Sequence, residues 1–549
     1  MRRRIATHIA VLVAGALAAT AVLQVVDEEA APLRVAATRN GAGAATATSR
    51  DTFPATADGD AGTAQKSYGI YVGRELTEDG SVLLGGTGDE VSSHWLEIVP
   101  AADHPRGSTI EVGVTEEAAI PGELMEIPQA RHTYRYVSMD YSDFEGFPPP
   151  LTNGGLNEHQ VAIRDIWSPS RDELVEMTPT PQRGPQYSDL ARIGLERART
   201  ARQAVQVMAR LVDRYGYSTY GGNSHLVADE RTGWVMLQFA GGKGLWVAER
   251  LEPDEVRMSY PGYIQEIPTD CADSGWDSDV VCSDDFVDFA ARKGWWDEGE
   301  PFDVNEVYGT QGWDYRTQPD DGKYVAPATI EDEVGDMAPV SVEEITDVVR
   351  DTRVSSDRNG YGQVAHLRPG VDRDLARLWV SPVGSVTSPF VPYHLGVQSA
   401  PPEYRQHRYM TKDSGSTFLN PRFAPQEATL FAGRVFKRLM YHTCTRPREF
   451  YPEVREALTA FEERERAAIP GVEATARTLI DAGRRGLARR YLTEFSHTRA
   501  YDALDLGEAL LASIEARVKL RYGIPQPPRS ADINGGSSDF GGYVTCQRE

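Results

Sequence analysis

The sequence predicts an α+β fold, and three observations carry that prediction. Strand-type alternation fills the stretch from about residue 68 to 163. Helical spacing follows between about 188 and 215, after which strand patterns return. No regular strand–helix–strand alternation runs through these segments, which argues against a doubly wound parallel sheet. With 549 residues the chain can bury a large core, as one big domain or two ordinary ones. Its 40% hydrophobic and 25% charged residues are those of a globular protein.

Taken in order, the chain opens on a targeting pattern. Arg2, Arg3 and Arg4 precede an apolar, Ala-rich run from Ile5 to Val26. Residues 1–31 read as a cleavable export signal, with an uncleaved membrane anchor over 5–26 as the alternative. The expected location is therefore secreted or extracytoplasmic. Residues 32–66 are rich in Ala, Thr, Gly and Asp without apolar periodicity, as in a linker or propeptide.

Strands are then expected around 68–73, 82–85, 109–114, 133–137 and 161–163. Leu190, Ile193, Leu195, Ala204, Val205, Met208, Leu211 and Val212 recur at three and four residues, so 188–215 should be helical. Strands return at 224–228, 233–239 and 245–250, with Gly241-Gly242-Lys243-Gly244 as a hairpin turn. From about 265 to 340 the acidic, turn-rich composition reads as solvated surface loops. A calcium site within 273–285 would not have EF-hand spacing. Residues 450–522 are helical and charged. The expected division is 67–450 for the main domain and 451–549 for a C-terminal helical extension packed on it.

The 57 Lys and Arg against 81 Asp and Glu leave a net charge of −24. That excludes nucleic acid and anionic lipid as principal partners, since both need a basic surface. Any membrane contact would come only through the N-terminal segment. Four cysteines fit an exported protein. Cys271 and Cys282 flank an acidic loop, and a Cys444–Cys546 bridge would tie down the tail. Four cysteines allow three connectivities, which the sequence alone does not separate. No CxxC or Cys/His cluster supports zinc, and no cofactor or metal is expected.

One stretch carries chemistry. Ser67-Tyr68-Gly69-Ile70-Tyr71-Val72-Gly73 leads to Asp79-Gly80-Ser81 and then to Asp89. Downstream, in order, come Asp103-His104-Pro105, Glu126-Ile127-Pro128-Gln129, Gly155-Leu156-Asn157-Glu158-His159 and Val227-Ala228-Asp229. This ordered set resembles the N-terminal-nucleophile dipeptidases of lactic-acid bacteria and their relatives the secernins, over roughly residues 67 to 520. Ser67 stands where that family has its Cys.

The resemblance implies a four-layer αββα sandwich of the N-terminal-nucleophile hydrolase type. It implies Ser67 as nucleophile, Asp89 beside it, and Asn157 as an amide donor to the oxyanion, worth about 3–4 kcal/mol when correctly aimed. A freed α-amine has a pKa of about 8 and can take the hydroxyl proton as the oxygen attacks. That chemistry requires removal of residues 1–66, by cleavage at Lys66–Ser67. Read without the resemblance, Asp89 is a strand-end carboxylate, Asn157 a turn residue, and His159 a surface or packing residue.

Two positions depart from the family pattern. Many relatives carry an Arg where this chain has Gly86, and an expected Asn falls at Pro261-Gly262. No GxSxG elbow, HExxH helix or P-loop supplies another catalytic system. The expected function is an exported dipeptidase-like amidohydrolase acting on a small peptide or amide. The alternatives are an acyltransferase using the same site and a non-catalytic binding protein that kept the fold.

Overall fold

The computed structural model describes residues 67–88, 94–141, 146–309, 316, 325–356, 359–405, 431–524 and 546. The expected signal and linker, 1–66, lie outside the described residues. Two antiparallel sheets organise the rest, giving an α+β fold.

In chain order the strands of the two main sheets are β1 (Tyr68–Val72), β2 (Val82–Thr87), β3 (His94–Val99), β4 (Tyr136–Tyr141), β5 (Leu151–Asn157), β6 (Ala162–Trp167), β7 (Asn223–Ala228) and β8 (Gly233–Gln238). They continue with β9 (Trp246–Leu251), β10 (Val256–Ser259), β11 (Val280–Cys282), β12 (Tyr361–Leu367), β13 (Arg377–Pro382) and β14 (Val391–His394). The first sheet runs β10-β1-β2-β12-β13-β14; the second runs β11-β9-β8-β7-β6-β5-β4-β3.

Strand alternation explains how the layers meet. On β1 and β2, Tyr71, Val82 and Leu84 join a cluster with Ala162, Ile166, Leu226 and Val235 of the second sheet. Tyr68, Ile70, Val72 and Leu83 point the other way, onto Ile330, Val334, Ile345 and Val349. Those four belong to helices α3 (Pro327–Asp336) and α4 (Val342–Val349), numbered after α1 (Tyr187–Arg197) and α2 (Ala201–Tyr215). The outer face of the second sheet, including Ile163, Val227, Trp234 and Met236, packs on Leu190, Ile193, Ala204 and Met208 of α1 and α2. The central strands of both sheets are buried on both faces, and the buried positions include polar residues such as Asn223, Ser224 and His225 as well as apolar ones.

The helical stretch expected over 188–215 consists of two helices. Ala198 is extended, and the Thr200 hydroxyl caps α2 by accepting from the Gln203 N–H. Asp229, just past β7, accepts from the Ala201 N–H and adds a carboxylate at that positive helix end. The reading of 265–340 as solvated loops is corrected. Phe286 and Tyr308 are buried, stack on each other and pack at a tilt against Phe239, and buried Phe302 packs on both, so all join the central core. The acidic residues between them dominate the composition and hide the apolar spacing.

Three C-terminal helices follow: α5 (Ala432–Cys444), α6 (Pro447–Asp481) and α7 (Arg485–Tyr522). Phe436, Leu458 and Leu492 bury in the same cluster as Leu378 and Tyr393 of the first sheet. The boundary expected between 450 and 451 falls inside the first turn of α6, and the helical region begins earlier, at Ala432. The disulfides are Cys271–Cys282 and Cys444–Cys546.

Candidate active site

Ser67 immediately precedes β1 and is 8% exposed. Its direction follows from its neighbour two residues on. A Cβ built on Gly69 would lie 3.0 Å from Leu226, 3.3 Å from Ile166 and 3.6 Å from the Cβ of Arg164. Gly69 thus faces the second sheet, and the period of two puts Ser67 on the same inter-sheet face. Tyr68 turns towards the helices, where its hydroxyl donates to the Val349 carbonyl; burial drives its pKa far above the phenol range.

Glycines border this position. Gly86 pairs with Gly69 across β1 and β2, with φ +153°. A Cβ there would meet the Tyr68 carbonyl oxygen at 2.3 Å, so the backbone as folded admits no side chain at this position. Gly262 follows β10, and a Cβ on it would meet the Ser224 Oγ at 2.2 Å. Its N–H donates to the Ser168 Oγ at 2.9 Å, and Ser168 in turn donates to Ser224 at 2.8 Å. This serine pair, pressed against the backbone, fills the space beside Gly262.

Across the sheet, Gln363 of β12 pairs with Gly86. Its Oε1 accepts from the Arg164 guanidinium, which reaches over from β6 in the facing sheet. Arg164 is fully buried, and its other hydrogen bond goes to the carbonyl of Ile163 at 3.0 Å. Burial pulls its pKa down from the ordinary guanidinium value, with the nearby Tyr361 and Asp165 opposing that shift. One step further along the same face of β12, Tyr361 lies 5.9 Å below the guanidinium and 5.4 Å from the ring of His94. The His94 Nε2 shares a 3.0 Å hydrogen bond with the Asn153 side chain.

Of the three expected site residues, Ser67 stands in this region. Asp89 lies outside the described residues. Asn157, expected to donate to the oxyanion, has other partners in the structure. Asn157 is fully buried at the end of β5, and its Nδ2 donates to the carbonyls of Leu195 (2.9 Å) and Ala198 (2.8 Å) at the C-terminus of α1. Its Oδ1 accepts from the N–H groups of His159 (2.9 Å) and Val161 (3.0 Å). Both amide protons are committed to a helix end on the outer face of the second sheet, the opposite side from Ser67.

His159 packs edge-on against Tyr134 at 4.4 Å, a packing residue as expected.

A polar cavity of about 540 Å³ lies at the far end of the first sheet. There the His366 Nε2 meets Asp79 at 2.8 Å, while its Nδ1 meets Arg377 at 2.6 Å. Glu473 of α6 receives Arg368, Arg377 and His394. Burial lowers the His366 pKa to about 4, so the ring is neutral and bridges Asp79 to Arg377. These charges are mutually paired and tie β2, β12 and β13 to α6. Among the described residues no cluster of His, Cys, Asp and Glu is able to hold a metal ion.

Reading the sequence missed Arg164, Gln363, Ser168 and Ser224. A signal existed for the first: in Val161-Ala162-Ile163-Arg164-Asp165-Ile166, Arg164 falls on the alternation step of Ala162 and Ile166. That places a cation on a buried face. Gln363 carries no such mark, because its role depends on pairing with a strand nearly 280 residues away in sequence (363 − 86).

Residues 68–329 match the model of Peptidase family C69. A probable dipeptidase B from Streptococcus pyogenes serotype M3 is 28% identical over 197 residues, 35% of this chain and 36% of that protein. The corresponding protein of serotype M1 is 27% identical over the same length and the same shares. The match thus spans about a third of these curated relatives. Among solved structures, one conjugated bile acid hydrolase from Clostridium perfringens aligns over 63% of this chain and 97% of its own, at 10% identity and a TM-score of 0.32.

Proposed function

We propose that this chain is an exported amidohydrolase that cuts the C–N bond of a short peptide or amide through an acyl-enzyme on Ser67. The observation that carries the reading is the position of Ser67. It precedes β1 on the face between the sheets, directly before the segment similar to Peptidase family C69. The similarity to dipeptidases supports a short peptide as the substrate class.

In this reading residues 1–66 are removed, and the new α-amine of Ser67 serves as base, its pKa near 8 leaving a neutral fraction at working pH. The Oγ attacks the carbonyl carbon as its proton passes to the amine. The C–N bond then breaks, the leaving nitrogen takes that proton, and water hydrolyses the serine ester. Asp89, two residues beyond the end of β2, is proposed to orient the α-amine. The two disulfides support an oxidising compartment. The layered packing of helices, two sheets and helices supports an N-terminal-nucleophile type of sandwich.

A second reading, a binding protein that kept the fold, is favoured by Gly86 and Gly262, where packing excludes the side chains expected of relatives. The two separate by experiment. N-terminal sequencing of the protein from its natural host should give Ser67, and Ser67→Ala should abolish dipeptide turnover without changing the folded spectrum. A mature chain beginning well upstream, or undiminished turnover in the variant, would overturn the hydrolase reading.

A further inference from the structure

Among the described residues, Arg164 is a fully buried cation that has no carboxylate partner and keeps an unmet donor. Arg350, equally enclosed, makes a bidentate pair with Glu462. Arg192 meets Asp189 and Glu196, and Arg377 meets Glu473. Arg164 has no carboxylate in ion-pair contact among the described residues. Asp165, its sequence neighbour, points to the opposite face by strand alternation. The acceptors of the guanidinium are two neutral oxygens, those of Ile163 and Gln363. Its Nε and the Nε2 of Gln363 are buried N–H donors without a partner. A desolvated cation beside two unmet donors is an incomplete arrangement, which an anion would complete.

The register says where that anion would lie. Gly69, Gly86 and Gln363 form one row across β1, β2 and β12. The first two lack a Cβ, so the Arg164 side chain, starting above Gly69 and ending at Gln363, crosses over Gly86. Ser67 is one alternation step from Gly69 on the same face, roughly 7 Å along β1 at about 3.4 Å per residue, and the unpartnered Nε edge of Arg164, over Gly86, is about one 4.8 Å strand spacing to the side. A carboxylate in contact with the guanidinium would therefore place an adjoining amide carbonyl within reach of Ser67.

We propose that Arg164, oriented by Gln363, binds the C-terminal carboxylate of a dipeptide whose scissile amide lies at Ser67. The cation is thus supplied from the facing sheet in place of the side chain that Gly86 excludes. This rests on the amidohydrolase reading for its substrate and goes beyond it in naming a specificity residue. The arrangement selects short substrates with a free carboxylate next to the bond that is cut.

The test compares a dipeptide with its C-terminal amide, using the mature chain. Wild type should lose at least 50-fold in kcat/KM on the amide. Arg164→Met should remove that preference, and Arg164→Lys should restore part of it, with urea midpoints confirming that each variant folds. Binding is read separately by calorimetry on Ser67→Ala, which should take up the dipeptide and not the amide. Equal turnover of both substrates by wild type would overturn the carboxylate site while leaving the hydrolase intact. Carboxylate-selective binding without turnover would keep the site and overturn the hydrolase. Should Arg164→Met fail to fold, the wild-type substrate comparison and the calorimetry still decide.

Discussion

Asn157→Ala separates a structural amide from a catalytic one. The side chain makes four hydrogen bonds between 2.8 and 3.0 Å, all in a fully buried position. At a net value of about 1 kcal/mol each, their loss amounts to about 4 kcal/mol. That is a large part of the roughly 5–15 kcal/mol by which domains of this kind are stable. The bonds join the β5–β6 turn to the end of α1, so the loss should appear as a lower urea midpoint with an unchanged slope. Turnover by the fraction that remains folded should stay within a few-fold of wild type. An oxyanion donor would behave in the opposite way, losing about 100- to 1000-fold in kcat at unchanged stability. That pattern would refute the structural assignment. Asn157→Asp adds a check of sign. Its carboxylate would face the Leu195 and Ala198 carbonyls, raising the folded-state pKa, so the variant should be more stable in acid and weaken as pH rises.

Three further outcomes are expected. Cys444→Ser with Cys546→Ser opens a link between residues 102 apart in sequence and should cost about 4–5 kcal/mol in chemical denaturation; an unchanged midpoint would show that the link does not constrain the unfolded chain. His366 and His225 are buried with pKa values lowered to about 4. Because the unfolded chain takes up these protons first, stability should be full above about pH 6.5 and fall towards pH 4, by about 3 kcal/mol for each histidine. Urea midpoints that stay flat across that window would contradict the neutral, buried assignment. Arg350→Met leaves Glu462 buried without its cation and should cost about 3–5 kcal/mol, whereas adding Glu462→Leu should recover most of the loss. A double variant no better than the single one would show that shape, not charge, governs that contact.

Local pattern determined much of this protein. Alternation and apolar runs placed β1, β2, β7 and β8 within a residue or two, because each of these buried strands holds a run of apolar residues that marks its centre. The 3.6-residue period marked α1 and α2 but not the break at Ala198–Thr200, which depends on one capping hydroxyl and on Asp229 arriving from a distant strand. Ser67 was legible as the polar head of an apolar strand. Only the tertiary structure decided which residues share its layer. Asn157 and Arg164 are seven positions apart (164 − 157) on consecutive strands, yet one faces α1 and the other faces β1. Alternation within a strand says that its residues divide between two faces. Which face meets which partner is set by long-range pairing and by the packing of the two sheets, and neither leaves a mark on local sequence.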